Sequence, residues 1–469
     1  GELTDTHVFV DTKEKELDYP SGDKNVYTHY DGTGGVKISN FWRKFLFGWR
    51  FDGTRLLFSD YPTDQSQVMF YRKIKDRVKN IAPFLKFDDD PYIVLSEGKL
   101  YWIIDAYTVS SNYPYSEPTS AHPRLKAFRR NTLFNSSQNR RDLRGINYIR
   151  NSVKAVVDAY NGQVDFYVFE PNDPLIKTWS NVFTDLFKTR DQMPEDLLKH
   201  IRYPADMLLI QGIVYSKYHM TDPTVFYNQE DLWVRATEKY YDQNQYVEPY
   251  YIMWEMPGSD EPQFVLMLPF TPKNKQVLIS WIAGMCDPEN YGRLLSYKFP
   301  KEKRVLGTQQ VETKIDQDRT LSGQLSLWDQ RGSRVIRGNV LVIPIEDTLI
   351  YVEPIYLQAE TAAYPELRLV AVMHDDKLSY AQTFNKALYG LVEETIQTDL
   401  QAPPQMAAQS VKKLIEQANT AFENYLDSLG KKEFNQASEH LNTLSESLNQ
   451  LIKTQKPNEN KNENNSQVK

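Results

Sequence analysis

Asp105 and Asp158 close two apolar runs with the same tripeptide, in "YWIIDAY" and "AVVDAY". Two carboxylates flanking one bond could act as general acid and general base, as in glycoside hydrolysis, if they lie about 5–10 Å apart. The plainer reading has each aspartate capping turn amides at the end of its strand. A second group, Asp316, Asp318, Arg334, Arg337, Glu346, Asp347 and Glu353, falls within two or three expected strands. Guanidinium among carboxylates makes either a bidentate substrate clamp or a structural ion-pair lattice. Asp88, Asp89 and Asp90 in "FDDDPY" offer the hard oxygens that calcium takes, without the spaced ligands and glycine of an EF-hand loop. An acidic turn before Pro91 explains them as well. His219, Thr221 and Asp222 invite a triad reading, but no Gly-x-Ser-x-Gly, His-Glu-x-x-His or phosphate loop accompanies them. A histidine ending a helix is the ordinary alternative.

The cations are also grouped. Arg124, Lys126, Arg129, Arg130, Arg140, Arg141, Arg144 and Arg150 stand against one acid, Asp142. Through Arg129, Arg130, Arg140 and Arg141 such a cluster could bind an anionic partner, lipid headgroups or cell-wall phosphates; a solvated loop is the alternative. "FWRKFLFGWRF" joins Trp and Phe to Arg43, Lys44 and Arg50. That is the composition of an interfacial helix, and equally of an amphipathic helix facing a core.

The formal charge of −7 argues against a nucleic-acid partner, which needs a basic face. A single cysteine, Cys286, excludes an intramolecular disulfide and a multi-cysteine zinc site. Seven histidines without a clustered pair argue against a histidine-rich metal site, and no cofactor is expected. No apolar run approaches the roughly 20 residues of a membrane span, and the opening "GELTDTHVFVDT" lacks a signal-peptide pattern, so the chain as given reads as soluble.

These residues need a scaffold, and the pattern predicts an α+β class with antiparallel sheets and interspersed helices. Short alternating runs open the chain. Helices are expected from Phe41 to Trp49, behind Ser39 or Asn40 as N-cap, and over Val68 to Phe84. Two hairpins follow, one turning at Glu97-Gly98 and one at Asn161-Gly162, the latter as a type I′ turn. "DPLIKTWSNVF…YHM" reads as helices broken at Pro194 and Pro204. Strand signals return from Tyr250 to about Val370, among them "QVETKID", with one helix, "NKQVLISWIAG", between them. At the C-terminus Val411, Ile415, Ala418, Phe422, Tyr425 and Leu429 form one seam at coiled-coil spacing, and Phe434 to Leu451 repeat it after Gly430. The domains read as 1–146, holding the basic insertion at about 121–145; 147–400, β-rich after 250; a linker and antiparallel helical hairpin at 401–456; and a disordered tail at 457–469.

Three long stretches, "NYIRNSVKAVVDAYNGQVDFYVFEPNDPLI", "YHMTDPTVFYNQEDLW" and "LWDQRGSRVIRGNVLVIPIEDTLIYVEPIYLQAE", carry a specific likeness. With "NVYTHY", "IAPFLKFDDDPY", "DAYTVSSNYPYSEP" and "NYGRLLSYKFPKEK" it covers roughly residues 1 to 400. The chain resembles the large C-terminal region of the UPF0182 family of bacterial multi-pass membrane proteins. The resemblance implies a cell-membrane protein whose spans precede this region, with this region on the extracytoplasmic face and the family-like stretch beginning upstream of Gly1. It brings no catalytic motif to carry over. Thr308 in "LGTQQVE" stands where the family pattern leads us to expect proline, and the insertion at 121–145 is a further departure. The expected function is an envelope interaction or assembly module; the alternatives are an envelope hydrolase or glycan- or lipid-binding domain, and a cap over the family's own transport path. Expected partners are the membrane region, another envelope protein or a second copy joined through the 411–451 seam, and anionic lipid.

Overall fold

The computed structural model describes residues 7–399 apart from 23, 53–57, 119–144, 241–242, 257–260, 301, 330–331, 346–347 and 360–363, together with 417, 419–424, 431, 436, 439–440 and 442–443. The basic insertion, the acids Glu346 and Asp347, nearly all of the 411–451 seam and the tail therefore lie outside the described residues. Two compact units divide the chain, Gly1–Ala387 and Leu388–Lys469.

The first unit is α+β and rests on three larger sheets. In the first sheet Lys99–Ser110 pairs along nearly its whole length with Tyr148–Asp158, so this sheet joins sequence from both sides of position 146. Tyr92–Ser96 and Lys86–Phe87 flank it on one side, Val164–Val168 and Phe187–Thr189 on the other. All these pairs are antiparallel except the last, Val164–Val168 with Phe187–Thr189. Both faces are covered. Ile104, Ala106, Val153 and Ala155 pack with Val78 and Ile176 of helices Ile74–Ile81 and Pro174–Val182, while Ile103, Val156 and Tyr167 meet Met193, Leu197 and Ile201. Burial on both faces is why these strands read as continuous apolar runs.

Helix Ala205–Tyr218 lies between the first and second sheets. It is buried over most of its length and largely apolar to match: Met207, Leu208, Leu209 and Ile213 share a core with Tyr107 and with Leu266, Leu268, Phe270 and Ile282 of strands Gln263–Pro272 and Ser280–Met285. A Cβ on Gly212 would stand 2.8 Å from Leu268, so a glycine is what allows this approach. The third sheet, centred on Thr348–Ala359 and Glu366–His374, packs against helices Thr308–Gln317 and Arg319–Trp328 through Val311, Ile315, Leu321, Ile355 and Leu369.

Several expectations are corrected. "NKQVLISWIAG" forms strands Val277–Leu278 and Ser280–Met285, the second buried at every position, so its strand period was invisible. "QVETKID" is helical, because Val311 and Ile315, four apart, fall on one buried face. The segment Val68 to Phe84 is interrupted by Tyr71 at φ 51°, giving strand Gln67–Met69 and then helix Ile74–Ile81. Left-handed backbone at both central residues occurs at Glu97-Gly98, whereas at Asn161-Gly162 only the glycine adopts it, closing the wider turn 158–162. The first helix starts as expected: Asn40 accepts from the N–H of Arg43 at 2.9 Å.

Asp173 ties helix to sheet. It caps Leu175 at 3.0 Å, and accepts from Thr108, Ser152 and Tyr148 at 2.5, 2.6 and 2.7 Å. Asp173→Ala removes a cap together with the carboxylate to which buried Thr108 and Ser152 both donate, and should cost about 3 kcal/mol of unfolding free energy. Urea denaturation measures it, and a loss below about 1 kcal/mol would contradict this role.

Candidate functional site

Asp105 does not end its strand; it sits in the middle of Lys99–Ser110, buried, opposite Lys154 in register. The Lys154 ammonium, wholly buried, donates to Asp105 Oδ1 and to the carbonyl of Arg202 at 3.1 Å, and lies 4.9 Å from the ring centre of Tyr291. Asn151 donates to the same carboxylate oxygen at 2.9 Å. Beside it Asp88, whose N–H donates to the Asp105 carbonyl at 2.8 Å, accepts from the Tyr107 hydroxyl at 2.5 Å and from the N–H of Asp90 at 2.9 Å. Asp88, Asp90, Asp105, Asp206, Glu248 and Arg202 line a cavity of about 270 Å³, where the Arg202 guanidinium stacks 3.7 Å over Tyr92. Burial, then the Asp105 charge, pushes the Asp88 carboxyl up to about 6 against the hydrogen bonds from Tyr107 and Asp90.

Asp158 is elsewhere. It pairs with Tyr101 in register, four residues along the strand from Lys154, roughly 13 Å of backbone away from the Asp105 position. Its carboxylate accepts from the N–H groups of Tyr160 and Asn161, both at 2.8 Å. The two-carboxylate pairing is thereby corrected: Asp158 caps a turn, and Asp105 is an interior ion-pair partner. Nor do Asp88, Asp89 and Asp90 converge on one point. Asp88 turns inward, while Asp89 pairs with Lys75 at 3.3 Å, as an acidic turn would. Among the described residues no group of three or more carboxylate, histidine or cysteine side chains is placed to hold a metal ion. His219 ends helix Ala205–Tyr218, its Nδ1 3.0 Å from the Tyr215 carbonyl, and Asp222 caps the next helix at Thr224 and Val225.

The second carboxylate group is a closed lattice. Arg337 grips both oxygens of buried Glu353, Nη2 to Oε2 at 2.7 Å, and reaches Asp316 at 2.5 Å. Lys239 holds the other oxygen of Asp316 at 2.5 Å, and its N–H donates to both oxygens of Glu312 at 2.8 and 2.9 Å. Glu238 accepts from the N–H of Val340 at 3.0 Å. Asp318 is instead the N-cap of Arg319–Trp328, 2.8 Å from the N–H of Leu321, and Arg334 lies an odd number of residues from Arg337, on the opposite face of its strand. Burial pushes Glu238 up to about 7; burial, then the charge of Glu353, pushes Glu312 up to about 8.

Lys154, Arg202, Lys239, Glu238 and Glu312 escaped the sequence reading. For Lys154 a signal existed: a lone cation within "VKAVV", an otherwise apolar run. Lys239, Glu238 and Glu312 belong to a hairpin and a helix that join the lattice only in three dimensions, and Arg202 meets Lys154 from a segment distant in the chain. The aromatic helix Phe41–Phe47 and its continuation Gly48–Asp52 also depart from the core-facing alternative. Trp42 and Trp49 are 70% and 81% exposed, and Phe41 and Leu46 stand out beside them.

The titrations fix a pH profile. Asp88, Glu238 and Glu312 bind protons more tightly folded than unfolded, so the stability they lend is fully present below the ordinary carboxylate range and is lost as pH rises through about 6, 7 and 8. Asp173 and Asp316 act in the opposite sense. Burial works against their charge, but Ser152, Thr108 and Tyr148 for the one, and Lys239 and Arg337 for the other, outweigh it and hold both low. Their contribution is present above the ordinary range and lost as pH falls through the lowered values. Unfolding free energy should therefore peak in acid, near pH 4, and decline by about 3 kcal/mol or more toward pH 9. Glu312→Gln should flatten the decline; a wild-type profile level from pH 5 to 9 contradicts the assignment. In the central pair, Asp105→Asn and Lys154→Met should each cost about 3–5 kcal/mol, and the double variant less than their sum. Strict additivity in that cycle would show the pair to be uncoupled.

Comparison with known proteins gives the chain a family. Residues 1–328 match the model of an uncharacterised protein family, UPF0182. A UPF0182 protein of Pelotomaculum thermopropionicum is 48% identical over 434 residues, 92% of this chain and 45% of that protein. One from Desulforamulus reducens is 46% identical over 465 residues, 96% and 48% respectively, and one from Trichodesmium erythraeum 48% identical over 389 residues, 83% and 42%. The chain thus spans about half the length of the curated relatives it matches. No solved structure matches it. The chain belongs to the uncharacterised protein family UPF0182.

Proposed function

We propose that this chain is an extracytoplasmic interaction module of a longer bacterial membrane protein, and that it docks on an anionic bilayer surface beside that protein's membrane-embedded part. The observation that carries the reading is the outward-facing aromatic helix. Helix Phe41–Phe47 buries none of its side chains. From Gly32 to Phe51 the sequence holds Lys37, Arg43, Lys44 and Arg50 and no Asp or Glu. Exposed Trp and Phe with cations and no acid, on a chain of net charge −7, suit the headgroup layer: rings enter the interface while ammonium and guanidinium groups meet lipid phosphates. No helix among the described residues is long and apolar enough to cross a membrane, so the reading concerns a surface and not a span.

Co-sedimentation with vesicles tests it. Binding should be strong to phosphatidylglycerol-containing vesicles, weak to phosphatidylcholine alone, and reduced about tenfold or more by Trp42→Ala with Trp49→Ala. Equal binding by wild type and variant, or none by either, would sink the proposal.

A second reading rests on Asp88. A carboxyl titrating near 6 in an acid-lined cavity could serve as a general acid in an envelope hydrolase. It requires turnover of a glycan or lipid ester that Asp88→Asn abolishes while the fold persists; turnover unaffected by that variant would remove it.

A further inference from the structure

A cavity of about 760 Å³ lies on the other side of the turn that follows Asp158. Its walls are the first turn of helix Ile74–Ile81, the turn 158–162, Trp102, and Gly35 with Met69. Arg72, Lys73, Lys75 and Arg77 face it, against Asp76 and Asp158. Of the two acids, Asp158 is engaged by the N–H groups of its own turn. Of the four cations, Lys75 has Asp89 as its partner.

Arg77 is the unusual member. Half-buried, it donates to the carbonyls of Tyr71, Gly162 and Phe70 at 3.1, 3.0 and 3.2 Å. Those bonds fix the guanidinium plane without neutralising it, and among the described residues neither Arg77 nor Arg72 nor Lys73 forms an ion pair with a carboxylate. Burial accordingly draws the Arg77 pKa down. The adjacent helix begins at Lys73 with no side-chain cap, so the partial positive charge of its first-turn amides adds to the same field. Trp102 and Asn161 of the turn 158–162 also line the cavity, and Asp76, in the helix turn itself, offers an acceptor for hydroxyl groups. The volume exceeds what a bare inorganic anion needs.

We infer that this cavity binds a phosphate ester of a small polyol, the phosphate seated among Arg72, Lys73 and Arg77 and the polyol against Trp102 and Asn161. Phosphate meets Arg through parallel charge-assisted hydrogen bonds, and uncompensated cations in a concave site concentrate the field on it. The same chemistry occurs in a free ester and in the headgroup of an anionic glycerophospholipid. The inference goes beyond docking by the aromatic helix, because it concerns a concave site that a soluble ligand can reach.

Isothermal titration calorimetry of the whole chain with glycerol 3-phosphate, and with glycerol as the neutral control, tests it. Saturable one-to-one binding of the ester, none of glycerol, and affinity falling as salt is raised are expected. Lys73 is exposed and Arg72 only partly buried, so Arg72→Gln with Lys73→Gln should keep the wild-type thermal melt while weakening the ester roughly tenfold or more. Lys73→Glu alone provides a second variant at the exposed position. Competition by phosphatidylglycerol vesicles supports the site with a lipid headgroup as source, and its absence supports the site with a free ester. Either outcome is separable from vesicle docking, since Trp42→Ala with Trp49→Ala should leave glycerol 3-phosphate binding unchanged. No saturable binding, or binding that the Arg72/Lys73 variants leave intact, would overturn the inference.

Discussion

The buried pair of Lys154 and Asp105 governs how the first unit is put together. Taking an ammonium and a carboxylate out of water costs several kcal/mol per ion, and only close pairing with further hydrogen bonds offsets it. Here the two charges face each other across Lys99–Ser110 and Tyr148–Asp158, and Asn151 and the Arg202 carbonyl complete their coordination. A one-residue slip between these strands would send one charge to the opposite apolar face, so the pair specifies the register of the central sheet. Through the Arg202 carbonyl it also positions the segment that enters helix Ala205–Tyr218, and with it the second sheet, whose strands share that helix's core.

The Arg337 lattice does the equivalent for the third sheet, with a different charge balance. Glu353 and Asp316 take up Arg337 and the Lys239 ammonium, while Glu238 and Glu312 accept from backbone N–H groups, so carboxylates outnumber cations in a low-dielectric setting. Such an excess is relieved by retaining protons, and Glu238 and Glu312 are the members pushed up into the neutral range. The lattice clamps hairpin Thr237–Tyr240 and Gln243–Tyr246, helix Thr308–Gln317 and the strands bearing Arg337 and Glu353 into one body. Thr308 joins it by donating to the Thr237 carbonyl at 2.7 Å, at the first position of its helix, where a proline is also tolerated.

Both buried networks spend their charges on the fold. Asp105 is held by Lys154 and Asn151, and Glu353 by Arg337, which leaves neither carboxylate poised as a nucleophile. The chain's unspent chemistry lies toward its N-terminal part: the exposed Trp and Phe of the first helix, and the cations around Arg77. Phe70, whose ring lies tilted against Phe47 and Phe51 with centres 6.1 and 5.7 Å away, connects the aromatic segment to the residues that lead into the basic cavity. An interaction role draws on these features, and a hydrolytic one draws on Asp88 alone.

Local signals in the sequence determined a good part of this. The Asn40 cap, the helix starts beyond Pro194 and Pro204, the hairpin at Glu97-Gly98 and the α+β class all follow from interactions within a few residues, which any window of sequence contains. The long family-like strings likewise fixed the relationship to UPF0182. What the tertiary structure decided is what depends on both faces of an element. "SWIAGM" is a strand because its neighbours in the fold cover it completely, and "QVETKID" is a helix because Val311, Glu312 and Ile315 find partners in other elements. The repeated Asp-Ala-Tyr shows the same division. Its second copy caps a turn by bonds to its own neighbours, as sequence suggests, while the first becomes the centre of the core because Lys154, distant in the chain, is brought opposite to it. Burial and pairing are properties of the assembled chain, and no local pattern carries them.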